Sequence, residues 1–212
     1  DVSMTAGRSS NCHERFTVLS NAPPRLPGMD KITLKTEDLT LPILARLGRL
    51  EYRLCININR LSRRQAMHRL FRTVSRLGDG VFWYCLMAAL ALFAGEAGRE
   101  AALRMGIAGL GGLLIYRQLK HRLVRERPFI TFQDIRCGCP PLDRFSFPSG
   151  HTLHAVSFTT LALAYFPLLA IVLVPFAALV ALSRPVLGLH YPSDVLCGAL
   201  IGYSIAQLVL MV

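Results

Sequence analysis

Residues 167–184 read PLLAIVLVPFAALVALSR. From Leu168 to Leu182 no side chain carries a charge and no polar face recurs at helical spacing, so a helix here has no side to turn toward water. The run closes on Ser183-Arg184, which sets a cation at the mouth of an apolar helix. Val195 to Val212 repeats the pattern without a single charge. Working outward, five segments suit a bilayer: roughly 81–96, 101–118, 150–166, 167–183 and 194–212. Several fall short of the ~20 apolar residues that a lone spanning helix needs, but their flanks extend them and a bundle shields their ends. The expectation is an all-α integral membrane bundle of about five spanning helices.

The composition agrees with that reading. In 212 residues 52% are apolar, and the mean hydropathy is +0.41, above that of an ordinary soluble domain. The long apolar runs lie after residue 80. Residues 1–40 are polar, carry Pro23-Pro24 and Pro27, and read as a disordered tail. Residues 41–77 form a basic amphipathic region: Ile43, Leu47, Leu50, Leu54 and Leu61 trace one stripe, and Arg46, Arg49 and Arg53 another. An interfacial helix has this design, with its arginines at the headgroups. Residues 78–212 are then the membrane domain. The net charge of +11 flanks apolar segments and is not interleaved with aromatics on a polar surface. Its expected partner is anionic phospholipid at the basic helix, and no nucleic acid. Oligomeric state is left open.

Six cysteines make no disulfide framework. Cys137-Gly138-Cys139 reads as a tight loop with two thiols, since no further ligands stand at metal-site spacing. No metal and no cofactor are expected.

Counting crossings places the chemistry. Lys120 ends the second segment, Ser149 starts the third, Arg184 ends the fourth and Asp194 starts the fifth, so all four share one membrane face. That face holds nine arginines in 41–80 and seven Lys or Arg in 117–147, whereas the opposite face has Arg99 and Arg104. The positive-inside rule puts the site face in the cytoplasm of a multi-pass cell (inner) membrane protein.

Each cluster suits a phosphate. Lys120 and Arg127 offer a point charge and a planar fork, and Pro128 is expected to end the helix at Arg127. Pro148-Ser149-Gly150-His151 reads as a helix start: Ser149 as cap, Gly150 for close backbone approach to an oxyanion, and His151 within reach of a leaving oxygen. His154, three residues on, reads as a packing or polar contact inside the bundle. Arg184 adds a third cation. His190 precedes Tyr191-Pro192-Ser193-Asp194, where Pro192 opens a helix and Asp194 in its first turn reaches back to an imidazole N–H. Desolvating these groups together without an anionic ligand would be costly.

Lys120-x6-Arg127-Pro128, Pro148-Ser149-Gly150-His151 and Ser183-Arg184-x5-His190-x3-Asp194 resemble the three signature motifs of the type 2 phosphatidic acid phosphatase superfamily. The likeness covers about 78–212. It implies metal-independent hydrolysis of a lipid phosphate or diphosphate through a phosphohistidine, on phosphatidate, phosphatidylglycerol phosphate or polyprenyl (di)phosphates. His190 would be the nucleophile, Asp194 its orienting carboxylate and His151 the general acid. Lys120, Arg127, Ser149, Gly150 and Arg184 would bind the phosphoryl oxygens. A lipid phosphotransferase would use the same intermediate, and a non-catalytic phosphate-binding membrane protein is the alternative outside enzymology. Vanadate-dependent haloperoxidases share the motifs but suit five lipid-facing segments poorly. Many membrane members have a further helix before the basic region and a site facing the periplasm or lumen. The expectation is therefore a shorter, cytoplasm-facing variant, or a periplasmic site if such a helix precedes residue 1.

Overall fold

The computed structural model describes residues 40–141 and 143–212, and the tail expected over 1–40 lies almost wholly outside the described residues. The chain divides into two units at residue 52, and the second, residues 53–212, is compact. Helix α1 runs Thr40–Asn59 and is followed by a 3-10 turn, Arg60–Arg63. Leu50, Leu54 and Leu61 of the expected apolar stripe are exposed. Within the second unit Cys55, Asn59 and Ser62 face inward.

Helix α2 (Gln65–Leu77) buries Phe71, Val74 and Ser75 and leaves Arg72 and Arg76 exposed. It meets α3 (Val81–Phe93) at a bend of 49°. Gly80 makes the bend with φ +116°, a conformation that side chains with a Cβ rarely adopt. Then come α4 (Gly95–Arg122), the single-turn α5 (Pro128–Thr131), α6 (Gly150–Tyr165), α7 (Ala170–Val186) and α8 (Pro192–Met211). Helices α3, α4, α6, α7 and α8 coincide with the five expected segments. Pro167–Val186 and Pro192–Met211 are each long and apolar enough to cross a membrane, and α2 with α3 qualifies as a bent pair. Leu92, Phe93, Leu110, Leu168, Ile171 and Leu200 stand exposed on these helices, as lipid-facing side chains should.

Helix α6 is the hub, packed on α4, α7 and α8. A Cβ at Gly198 would lie 2.5 Å from the Ser149 carbonyl, and one at Gly202 would lie 2.2 Å from that of Leu153. Glycine four residues apart on α8 therefore lets two backbones touch, the small-residue packing typical of membrane helices. The contact brings the start of α6 against the start of α8, where the Ser149 N–H donates to the Asp194 carbonyl at 3.1 Å.

The connection from α4 to α6 is pinned at both ends. Ser146 N–H donates to the Arg125 carbonyl at 2.7 Å beside an isolated antiparallel bridge between Glu126 and Phe145. Asn59 donates to the carbonyls of Arg136 (3.0 Å) and Val186 (2.9 Å) and accepts the Arg136 N–H at 2.9 Å. A small apolar core of Phe71, Phe129, Ile135, Val186, Leu187 and Leu189 lies beneath.

Candidate active site

Each signature cluster stands at a helix end, with His190 in the loop between two helices. Lys120 is in the last turn of α4, and Arg127 is the residue before α5. Ser149 precedes α6 and His151 lies in its first turn. Arg184 is in the last turn of α7, and Asp194 is in the first turn of α8. The helix expected to reach Arg127 ends at Arg122, where Leu123 turns out of helical geometry, and Pro128 opens a separate turn. Arg127 adopts extended geometry before that proline, as the proline's ring demands.

Arg127 is 2% exposed, and every arm of its fork is engaged. Nε donates to the Asp143 carbonyl at 2.8 Å, Nη2 to Asp143 Oδ1 at 3.0 Å, and Nη1 to the Leu189 carbonyl at 2.8 Å. Nη1 also stands 3.2 Å from His190 Nε2. Arginine has no acceptor, so His190 Nε2 is the acceptor and carries the lone pair. In the neutral ring the proton then sits on Nδ1. That atom is 3.8 Å from Asp194 Oδ2, longer than a hydrogen bond. His190 lies in the loop between α7 and α8. Burial depresses its pKa well below the ordinary histidine value, and the charges of Arg127, Arg184 and Lys120 push the same way. A neutral imidazole with its lone pair on Nε2 is what a nucleophile requires.

Asp194 is fully buried; it faces the imidazole without a hydrogen bond to it, and its oxygens are held by other groups. Oδ2 accepts the Tyr191 N–H at 2.9 Å, which ties the carboxylate into the helix start. Oδ1 accepts from Arg125 Nη1 at 2.7 Å. Arg125 also donates to Ser193 Oγ at 2.7 Å and lies 3.9 Å over the Tyr191 ring. In the sequence Arg125 reads only as part of the basic flank of α4. Its separation of two from Arg127 in an extended stretch is the signal that both face the same site.

Asp143 is the second residue that the motifs do not name. Its Oδ2 takes hydrogen bonds from Lys120 Nζ and from Tyr116 Oη, the latter at 2.8 Å. With Arg127 on Oδ1, one loop carboxylate spans both cations of the first motif. Burial alone would raise its pKa, but the Lys120 hydrogen bond and the Arg127 charge outweigh burial and hold it below the ordinary carboxylate value. Nothing in the sequence marks it, since a lone Asp in a loop has no period and no neighbour to pair with.

On the other side of the site, Arg184 is 4% exposed and donates from Nη1 to Ser75 Oγ at 2.6 Å, while its Nε has no hydrogen-bond partner. His151 Nε2 lies 3.3 Å from Asp79 Oδ1. Asp79 sits in the turn between α2 and α3, and burial raises its pKa against the opposing charge of Arg184. Ser149 does not cap α6 by its side chain; its hydroxyl pairs with Thr152 Oγ1 at 3.0 Å. Gly150 is needed sterically, because a Cβ would meet the Tyr116 ring at 2.8 Å. His154 contacts the carbonyls of Gly150 (2.9 Å) and Gly109 (3.3 Å), a polar contact inside the bundle. Cys137 Sγ donates to the Cys139 carbonyl at 3.2 Å.

Two cavities adjoin His151. One, of about 430 Å³, runs between α3, α4 and α6 along Trp83, Met87, Met105, Leu110, Leu113 and Phe158. The other, of about 230 Å³, is polar and includes Arg184.

The sequence model of the PAP2 superfamily matches residues 80–212. Undecaprenyl-diphosphatase BcrC of Bacillus subtilis is 32% identical over 116 residues, 55% of this chain and 60% of that protein. Decaprenylphosphoryl-5-phosphoribose phosphatase of Mycolicibacterium smegmatis is 33% identical over 129 residues, 60% of this chain and 68% of its own length. Among solved structures, Aquifex aeolicus LpxE superposes with a TM-score of 0.63 at 28% identity, covering 76% of this chain and 93% of that one. The first transmembrane PAP2-type phosphatidylglycerolphosphate phosphatase from Bacillus subtilis shares the fold with a TM-score of 0.60 at 23% identity, covering 78% and 85%.

Proposed function

The chain belongs to the PAP2 superfamily, and from that membership we propose that it is an integral-membrane phosphatase that removes the terminal phosphoryl group of a lipid phosphate or diphosphate through a phosphohistidine on His190. The observation that carries the reading is the hydrogen bond from Arg127 to His190 Nε2. It assigns the lone pair to the atom facing the first-motif cations and the proton to the atom facing Asp194.

Phosphate oxygens take up the N–H groups of Arg127 and the charges of Lys120 and Arg184, joined by the Ser149 hydroxyl and the Gly150 amide at the start of α6. Once Arg127 turns to the phosphate, the Nε2 pair is free. Nε2 attacks phosphorus, the bond from phosphorus to the leaving oxygen breaks, and its electron pair stays on that oxygen. His151 supplies the proton, so the lipid leaves protonated and the phosphoryl group stays on Nε2. A water then attacks the phosphorus, gives its proton to His151, and phosphate departs with the His190 lone pair restored. Asp194 stabilises the positive charge that the ring acquires at each step. The arginine and lysine charges neutralise the transferring oxygens, so the reaction is metal-independent.

A lipid substrate is supported by the apolar cavity that starts at His151 and passes between α3, α4 and α6. The Bacillus and Mycolicibacterium relatives are named for undecaprenyl and decaprenylphosphoryl compounds, which favours a polyprenyl chain there. The excess of arginine on the site face favours a cytoplasmic site, with anionic headgroups at the basic helix.

The test is phosphate release from a polyprenyl diphosphate by the purified protein in a neutral detergent. Wild type turns over in the presence of a chelator, His190→Ala does not, and label from the terminal phosphate is trapped on protein in an acid-labile, base-stable form. Full turnover by His190→Ala refutes the nucleophile. Label passing to an added lipid alcohol in place of free phosphate identifies a transferase.

A further inference from the structure

The polar cavity beside His151 has walls that the phosphohistidine chemistry does not use. Arg72 lies three and four residues before Ser75 and Arg76, which in turn lie four and three residues before Asp79, along α2 and into its turn, and all four line this cavity with His151 and Arg184. Such spacing places side chains on one face of a helix. That face is turned to the site, because Ser75 Oγ accepts the hydrogen bond from Arg184 Nη1 at 2.6 Å. Arg72 and Arg76 flank Ser75 by three positions and one. Beside them Arg184 is almost fully buried with its Nε unpartnered, a charged donor without an acceptor. Asp79 is the opposing charge among the lining residues, and it lies 3.3 Å from His151 Nε2. The cavity thus gathers three guanidinium groups against one carboxylate, in a volume of about 230 Å³. That is room for about seven waters, or a phosphate group with its hydration.

His151 borders both cavities. An amphiphile with its chain in the apolar cavity carries its scissile bond past His151. The group bonded to the leaving oxygen then lies at the junction of the two cavities. In a lipid monophosphate that group is a carbon. In a lipid diphosphate it is a second phosphate, which the lipid keeps. When the terminal phosphorus transfers to His190 Nε2, the bridging P–O bond breaks and its electron pair remains on the retained phosphate. That group gains one negative charge in the step, and donors already in place there stabilise the transition state more than the ground state.

We propose that Arg72 and Arg76 form a second phosphate subsite beside His151 that holds the retained phosphate of a lipid diphosphate and makes diphosphates the preferred substrates of this chain. The proposal rests on the phosphatase reading above and adds the substrate class. Both arginines belong to the amphipathic α2 and are exposed, so a ligand can reach them from solvent. The same chemistry would attract the phosphate of a neighbouring anionic phospholipid, and the experiment separates the two sources.

Farnesyl diphosphate and farnesyl monophosphate share one chain and differ by one phosphate. Phosphate release from each is measured in a nonionic detergent with wild type, Arg72→Gln/Arg76→Gln, Arg72→Lys/Arg76→Lys and His190→Ala. The expected result is a loss of about ten- to hundredfold in kcat/KM for the diphosphate in the Gln pair. Turnover of the monophosphate stays within about threefold, which also shows that the fold survives. The Lys pair keeps the charge and falls between. An equal loss on both substrates, or none on the diphosphate, overturns the proposal. So does a defect that appears only in vesicles containing phosphatidylglycerol, because the arginines would then serve the membrane surface. His190→Ala decides the other question separately: if it turns over both substrates, the phosphohistidine reading fails whatever the arginine pairs do.

Discussion

Asp143 holds the guanidinium of Arg127 at 3.0 Å through Oδ1 and at 2.8 Å through its own backbone carbonyl. Its Oδ2 meanwhile takes Lys120 and Tyr116. A carboxylate thereby satisfies the two first-motif cations that are proposed to bind phosphate. The arrangement avoids leaving two buried cations without an anion, which would cost several kcal/mol per ion.

A phosphate must compete with that carboxylate for the same donors. Asp143→Asn removes the competing charge and keeps the shape, so inhibition by orthovanadate tightens about twofold to fivefold, modest because Asp143 is one-third exposed. An inhibition assay in detergent measures it. Weaker inhibition in the variant would mean that Asp143 positions Lys120 and Arg127 and does not compete with the ligand.

Arg125 is expected to act on the proposed reaction through Asp194. Its guanidinium joins Asp194 Oδ1, Ser193 Oγ and the Tyr191 ring, and so sets the carboxylate that faces His190 Nδ1. Arg125→Met leaves that carboxylate without its charged partner and lowers kcat about ten- to hundredfold, with KM nearly unchanged. Arg125→Lys recovers part of the loss, since an ammonium restores the charge but not the fork or the stacking. A change confined to KM would contradict a role exerted through Asp194.

The depressed pKa of His190 gives a pH expectation. Burial and three neighbouring cations disfavour the imidazolium, so the ring stays neutral and nucleophilic at neutral pH, and it loses that form only as pH falls through its lowered pKa. In protein with ¹³C-labelled histidine, the His190 signal, assigned by its absence in His190→Gln, titrates below the reference value of about 6.5. A midpoint at or above that value would remove the electrostatic basis for the nucleophile.

Packing of α6 on α8 depends on backbone contact at Gly202. Gly202→Val puts carbon where the Leu153 carbonyl now lies and lowers stability by about 1–3 kcal/mol. Gly111→Ala, on the open side of α4 with nothing within 4 Å of the added methyl, is neutral or stabilising by up to about 1 kcal/mol. Thermal unfolding in detergent compares the two. Activity falls with stability in the first, because Ser149 and Asp194 are held together across the same contact.

Much of the molecule was legible before any coordinates. Uncharged runs such as Leu168 to Leu182 determine membrane helices by themselves, because hydropathy is a local, additive property. The motif residues were legible too: a helix end is marked in the chain by Pro128, Pro148 and Pro192, and fixed charges beside such ends have few structural uses. The helix boundary at Arg122 was missed because Pro128 restricts only the residue before it. The chain from Leu123 to Glu126 is held instead by Phe145 and Ser146, distant in sequence.

What the tertiary structure alone decided are the partners of those residues. That Asp143 lies across Lys120 and Arg127, that Asp194 leans on Arg125 more closely than on His190, and that Arg72 and Arg76 look into the site from α2 are facts of long-range packing. They follow from the glycine contact of α8 on α6, the bend at Gly80 and the loop tied down by Asn59. The bend is local, but the α8–α6 contact and the Asn59 tie each join segments tens of residues apart, and such pairings leave no period in a sequence for local physics to read.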